Sequence, residues 1–213
     1  MALRVPKAEL PADIKESMIR QLGDVPENVE VLWHTPAVAR DNLEFGAKAG
    51  AWGAADKSLK SFAHMAVAAQ VGCSWCLDAG YFQARNDDLD LTKASQVPRW
   101  RTSDVFTPLE RDVMEYAEAM SATPPTVTDE QYAGLLERLG PAAMVELTVH
   151  IAYVNMATRA NVANGVTSQG FSDACEIPLA DVPSAGGPSA GGPSAGGPSA
   201  GGPEKPGAAA STA

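Results

Sequence analysis

Three features of the sequence predict an all-α fold. Apolar residues recur at helical spacing along residues 1–182. Threonine–proline pairs and glycines stand where helices commonly begin and end. No alternating run typical of a strand occurs, so we expect about seven or eight helices packed around one core.

The predicted helices are separated by residues typical of helix boundaries. Residues 56–71 are apolar on nearly every side and end at Gly72, so we expect them to form the buried central helix. Capping boxes are predicted where a threonine precedes a glutamate or glutamine by three positions, at 107–110 and 128–131. The other segments with helical spacing are 11–22, 35–48, 75–85, 107–120, 128–139 and 140–163.

Residues 183–213 differ from the rest of the chain in composition. From Pro183 the sequence Pro-Ser-Ala-Gly-Gly is repeated four times, and no large apolar side chain follows. Such a segment cannot bury enough surface to offset the entropy of ordering. We therefore predict one folded domain over 1–182 and a disordered tail that is dispensable for stability.

Composition excludes several functional classes. The formal net charge is -10 and no cluster of lysine and arginine occurs, so nucleic acid is not an expected partner. The longest apolar stretch is too short to span a membrane, and residues 1–10 lack the pattern of a signal peptide. The chain has three cysteines, an odd count, which argues against a secreted disulfide scaffold and favours the cytoplasm.

Cys73 and Cys76 are the candidate reactive residues. Ser74 is a favoured N-cap residue, so we place the pair at the first turn of the helix that follows. The positive end of a helix dipole stabilises a thiolate, and we expect at least one thiol pKa below the ordinary ~8.5. Two thiols at this spacing can also form a disulfide, so the sequence predicts a partly exposed dithiol redox centre.

Two other interpretations of the cysteine pair remain open. The thiols can be inert and buried, or they can form half of a zinc site. Neither a bound metal nor a cofactor is expected, because no second paired motif supplies the missing zinc ligands. The single residues considered as those ligands are His34, His64, His150 and Cys175.

The cysteine pair and its flanking segments resemble the alkylhydroperoxidase D (AhpD) and carboxymuconolactone decarboxylase family. The resemblance covers roughly residues 30–165, and its most specific part is the cysteine pair after an apolar helix that ends in glycine. It implies an all-helical fold and assembly into trimers or larger rings. In the cysteine-bearing branch it implies a thiol peroxidase that reduces a small hydroperoxide. A dithiol such as a protein-bound lipoyl group then reduces the disulfide. The segments that carry the resemblance are 60–76, 100–101, 106–111 and 155–159.

The chain departs from the family pattern at two positions. The family places a glutamate and a histidine where this chain has Ser61 and Gly80. His64 lies one helical turn after Ser61, so it is the candidate acid/base residue, although a histidine bonded to a core carbonyl is the alternative. Among the other neighbours, Asp78 would oppose thiolate formation and Tyr81 could only donate a hydrogen bond. We expect a weak peroxidase that Ser61→Glu together with Gly80→His would speed.

Two rival functions stay open. A non-catalytic helical oligomer could sense oxidation or bind a ligand in the same pocket. A decarboxylase of the carboxymuconolactone type is less favoured, because that chemistry does not need a dithiol. Outside the cysteine region, Glu146 and His150 are four residues apart and are expected to form an ordinary ion pair or an interface contact.

Overall fold

The computed structural model describes residues 3–183, and its regular structure there is helical, which confirms the predicted all-α class. No strand occurs between those two residues. The predicted disordered tail lies, from residue 184 onward, outside the described residues. The α-helices of the described part are α1 (Ala12–Leu22), α2 (Glu27–Leu32), α3 (Pro36–Ala51), α4 (Lys57–Val71), α5 (Ser74–Asn86), α6 (Leu91–Ala94), α7 (Pro108–Ser121) and α8 (Asp129–Asn164).

Helix α4 is the centre of the fold, as its apolar sequence predicts. It packs against α5, α7 and α8, and residues on every side of it are buried. Asp56 caps its first turn by accepting hydrogen bonds from the amides of Ser58 and Leu59 at 2.8 and 3.2 Å. Its last turn ends at Gly72, whose φ of 80° places it in the left-handed region that favours glycine.

Helix α8 joins two segments that the sequence predicts as separate helices. Gly140 has non-helical angles (φ 76°, ψ 165°), and Pro141 restarts the helix after it. The half that follows Pro141 is the longer one and supplies most of the buried residues of α8. It therefore provides one continuous wall beside α4.

Two short helices are not predicted by the sequence. Helices α2 and α6 have six and four residues, too few to show a helical period. Helix α2 contributes to a small second cluster, in which Val29 and Trp33 pack with Ala39 of α3. No helix of the described chain is long and apolar enough to cross a membrane.

Candidate active site

Cys73 and Cys76 lie at the junction of α4 and α5 and are joined by a disulfide. Cys73, and not Ser74 as predicted, is the N-cap of α5, and its Sγ accepts a hydrogen bond from the Cys76 amide at 3.2 Å. Ser74 Oγ instead accepts a hydrogen bond from the amide of Ser168. The two cysteines are 1 and 3% exposed, so the prediction of partly exposed thiols is wrong. The segment after α8 covers the start of α5, which the sequence does not reveal.

Asp78 holds that covering segment in place. Its carboxylate accepts hydrogen bonds from Ser168 Oγ at 2.8 Å and from the four successive amides of residues 169–172 at 2.7 to 3.1 Å. Burial alone would raise the pKa of Asp78, but the hydrogen bonds outweigh burial and lower it. Asp78 is thus an ionised anchor for the segment and not the acid/base residue of the site.

A cavity of about 580 Å³ lies beside the disulfide, between α3, α4, α5 and α8. Cys76 lines it together with Trp75, whose indole N–H donates to Gln169 Oε1 at 2.9 Å. Tyr81 contributes nothing to the lining, because its hydroxyl donates to the Ile177 carbonyl at 2.5 Å. Further residues of the lining are Lys57, Lys60, Ser61, His64, Gly80, Asp87, His150, Val154, Ala157, Thr158 and Asn161.

His64 fills the space beside Gly80. A Cβ atom added at Gly80 would lie 3.6 Å from His64 Nε2 and 3.2 Å from Met65 Cγ. The space beside the position that carries a histidine in the family pattern is therefore taken up by an imidazole from α4. A Cβ at position 80 would press on Met65 and touch His64, so a histidine ring there would compete with His64 for space. Ser61 lines the same cavity one turn earlier on α4.

His64 is a neutral imidazole at pH 7. Burial, and then the nearby charge of His150, lowers the pKa of His64 to about 4. His64 makes no hydrogen bond to the described residues, so both ring nitrogens are available to a molecule in the cavity. The alternative of a core histidine bonded to a backbone carbonyl is thus not what the structure has.

His150 is not paired with Glu146, so the ion-pair alternative that the sequence suggested is wrong, while the interface contact stays a prediction. Glu146 accepts hydrogen bonds from Lys60 Nζ at 2.9 Å and from the Ala54 amide at 2.6 Å. Both ring nitrogens of His150 are buried and have no hydrogen-bond partner among the described residues. The carbonyl of Lys60 lies near the ring but outside hydrogen-bonding geometry. Burial, and then the Lys60 charge, lowers the pKa of His150 to about 4.

Asn161 is the site residue that sequence reasoning missed. Its side-chain amide donates to Cys76 Sγ at 3.3 Å, although the two residues are separated by 85 positions. The only signal in the sequence is that Asn161 lies on the same face of α8 as His150 and Val154. An asparagine three helical turns after His150 could have been singled out on that ground.

The residues considered as zinc ligands are not brought together in the described part of the chain. His34 Nε2 lies 2.7 Å from the Pro6 carbonyl, outside the cavity that His64 and His150 line. Cys175 is a free thiol whose pKa is raised by burial. No group of three or more potential ligands is assembled between residues 3 and 183.

Comparison with known proteins places the chain among helical proteins of varied chemistry. The model of the carboxymuconolactone decarboxylase family matches residues 36–119. The uncharacterized Escherichia coli protein YnjA is 33% identical over 123 residues, which cover 58% of this chain and 66% of YnjA, just under two thirds of its length.

Two solved structures show the same fold. The debrominase Bmp8 in complex with 2,3,4-tribromopyrrole superposes with a TM-score of 0.71 at 19% identity, over 81% of this chain and 97% of Bmp8. A peroxidase-related protein of Ralstonia eutropha with an alkylhydroperoxidase AhpD core superposes with a TM-score of 0.67 at 22% identity. That match covers 79% of this chain and 94% of the other. At these identities the likeness concerns the fold alone.

Proposed function

This chain belongs to the carboxymuconolactone decarboxylase family with its AhpD-like members, and we propose that it is a thiol-dependent oxidoreductase that reduces hydroperoxides. The observation that carries the proposal is the disulfide between Cys73 and Cys76 beside a cavity that Cys76 lines. Named proteins with this fold or family include a decarboxylase and a debrominase as well as peroxidase-related proteins, so the family alone does not decide the reaction.

In the proposed reaction Cys76 is the nucleophile and Cys73 the resolving thiol. The Cys76 sulfur attacks the terminal oxygen of the hydroperoxide, a sulfur–oxygen bond forms and the oxygen–oxygen bond breaks. The organic oxygen leaves as an alcohol after taking up the proton of the Cys76 thiol. Cys73 then attacks the sulfenic acid, water leaves, and the disulfide forms. Cys76 takes the first role because it lines the cavity, whereas Cys73 caps α5.

His64 supplies the proton transfer in this scheme. It lies against Gly80, one helical turn or about 6 Å along α5 from Cys76. One ring nitrogen accepts the thiol proton while the other donates its proton to the leaving oxygen. The ring is therefore neutral before and after the step, which suits an imidazole whose pKa is lowered to about 4.

Asn161 contributes from the opposite wall. Its N–H group donates to Cys76 Sγ and stabilises negative charge on that sulfur. The buried position of Asn161, at 6% exposure, strengthens this interaction because little water competes for it.

The proposal includes a reductant and an assembly. A dithiol such as a lipoyl-bearing protein would return the disulfide to two thiols, and a reducing cytoplasm would supply it. A homo-oligomer, trimeric or larger, would bury apolar side chains that are exposed on α3 and α8. Those side chains are Val38, Leu43, Phe45, Val145, Val149 and Met156, which are 38 to 57% exposed.

A turnover assay with tert-butyl hydroperoxide and dihydrolipoamide tests the proposal. We expect slow, saturable turnover in the wild type and none in Cys76→Ser. His64→Gln should lose about a hundredfold or more in rate if His64 transfers the proton. A disulfide that forms without sustained turnover would point to the redox-sensor alternative. Turnover of a carboxylated lactone by the Cys76→Ser variant would point to the decarboxylase.

A further inference from the structure

The wall that α8 gives to the cavity extends well beyond the cysteines. His150 and Asn161 are eleven residues apart. In an α-helix that distance is about three turns, so the two residues face the same side with roughly 16 Å between them along the axis. Val154, Ala157 and Thr158 lie between them and line the same cavity. Asn161 contacts Cys76, and His150 therefore marks the opposite end.

The residues that α4 and α5 contribute to the cavity wall also run from a thiol end to a His150 end. Cys76 and then Gly80, with His64 against it, lie toward the thiol end. Lys60 lies toward the other end, where it is joined to Glu146 of α8. His150 is thus displaced along α8 from Cys76, although it lies close enough to His64 to lower the pKa of that ring.

At this far end, the described chain offers hydrogen-bonding groups, but each lysine there is paired with a carboxylate. Lys60 is paired with Glu146 at 2.9 Å, and Lys57 is paired with Asp87 at 2.7 Å. His150 is the exception to this pairing, since both of its nitrogens lack a partner. A buried polar group is almost always hydrogen-bonded, and a neutral imidazole offers one donor and one acceptor. A hydroxyl or amide group of a bound molecule would either donate to the bare nitrogen or accept from the N–H, whereas an anion would not find a free counter-charge.

We infer that His150 anchors a second, uncharged polar group of an elongated substrate whose reactive group lies at Cys76. This inference rests on the proposed function and names its substrate class: a hydroperoxide that carries a hydroxyl or amide group at the far end of an alkyl chain. A simple short hydroperoxide would fill only the thiol end. His150 then determines which molecules bind well, while His64 acts in the reaction.

Binding of unreactive probes tests the anchor independently of turnover. Octanol and octanediol have the same chain, and only octanediol can reach both ends of the cavity with a hydroxyl group. For the wild type we expect calorimetry to show octanediol binding roughly three- to tenfold more tightly, the value of one hydrogen bond. His150→Phe should remove that preference and His150→Gln should retain part of it. His34→Gln, outside the cavity, is the control that should leave it unchanged.

Stability and turnover complete the test. Without ligand, His150→Phe should raise Tm, because it removes a buried polar group that has no partner. The KM for octyl hydroperoxide should exceed that for its ω-hydroxy derivative in the wild type and equal it in His150→Phe, with kcat little changed. Equal binding of octanol and octanediol, or a lower Tm for His150→Phe, would overturn the anchor. Probe preference without any peroxide turnover would support the anchor and refute the peroxidase function.

Discussion

The cysteines at one end of the cavity and His150 at the other differ in how completely the protein itself satisfies their polar groups. At the thiol end Asp78 accepts five hydrogen bonds, and Asn161 donates to Cys76. At the other end His150 has two buried nitrogens without partners. The cysteines are thus held by the fold before a ligand arrives, whereas His150 depends on a ligand for its hydrogen bonds. In the proposed function, chemistry and selectivity are therefore carried by different residues.

Cys76→Ser should have the largest effect, a loss of more than about a thousandfold in peroxide turnover, because the nucleophile is removed. Cys73→Ser should instead allow one turnover and stop at the Cys76 sulfenic acid. Mass spectrometry after one equivalent of peroxide distinguishes the two variants. If Cys73→Ser also failed to react with peroxide, or if Cys76→Ser formed the sulfenic acid, the assigned roles of the two thiols would be exchanged.

Moving the histidine tests the proton transfer at the thiol end. Gly80→His alone should slow the enzyme, because the new side chain competes with His64 for one space. Exchanging the two residues, as His64→Gly with Gly80→His, should recover a large part of the roughly hundredfold or greater loss expected for His64→Gly. The measurement is kcat/KM for the wild type, Gly80→His, His64→Gly and the exchanged variant.

The exchange also bears on the expectation that Ser61→Glu with Gly80→His would speed the natural enzyme. That expectation assumed free space at position 80, and the position of His64 argues against it. Ser61→Glu combined with the exchange is the version of the experiment that the structure allows. If His64→Gly and the exchanged variant had equal kcat/KM, His64 would act through something other than its position.

Asp78→Asn should test how far the thiol end depends on its anchor. The amide keeps one acceptor but loses the charge that five donors share, so we expect a loss of about 2–4 kcal/mol in the free energy of unfolding. Urea denaturation measures this loss, with Asp104→Asn, at a position for which no hydrogen bond or ion pair is described, as the control. Alkylation of the reduced thiols should become faster in the Asp78 variant, since the covering segment is released. An unchanged alkylation rate would mean that the segment does not limit access.

The histidines predict a smaller, pH-dependent change. The folded-state pKa of His64 is about 4, below the ordinary 6.5 of the unfolded chain, so between these values the unfolded chain binds more protons. Stability should therefore be complete above pH ~6.5 and decline as the pH falls toward 4. The loss should be about 2 kcal/mol by pH 5 and about 3 kcal/mol in full for each such histidine. His64→Gln should show a shallower decline between pH 7 and 5, and an identical slope would contradict the burial of a neutral ring.

Local sequence signals predict the fold and the position of the thiols well. Proline and threonine at the start of α7, the left-handed Gly72 and the apolar surface of α4 all act within a few residues, so they can be read from the sequence. The N-cap of α5 is a feature that such local signals do not predict. Ser74 has the right side chain, but tertiary structure uses its hydroxyl elsewhere, and Cys73 takes the cap.

The missed features of the site all join distant parts of the chain. The contacts of Asp78 with residues 168–172 and of Asn161 with Cys76 cross about 85 to 94 positions. The contact between His64 and Gly80 depends on how two helices approach each other. No periodicity records such pairings. The sequence could name candidate residues, but it could not show which side chain occupies which space.

The uninterrupted second half of α8 also limits how this pocket can change during evolution. One residue inserted between His150 and Asn161 would turn the two side chains about 100° apart and remove one of them from the cavity. Seven inserted residues would restore the shared face to within about 20° and lengthen the wall by roughly 10 Å. Relatives with such insertions would therefore differ in large steps in the length of the molecule that they accept. Point substitutions of the lining residues between His150 and Asn161 would instead change the width of the cavity.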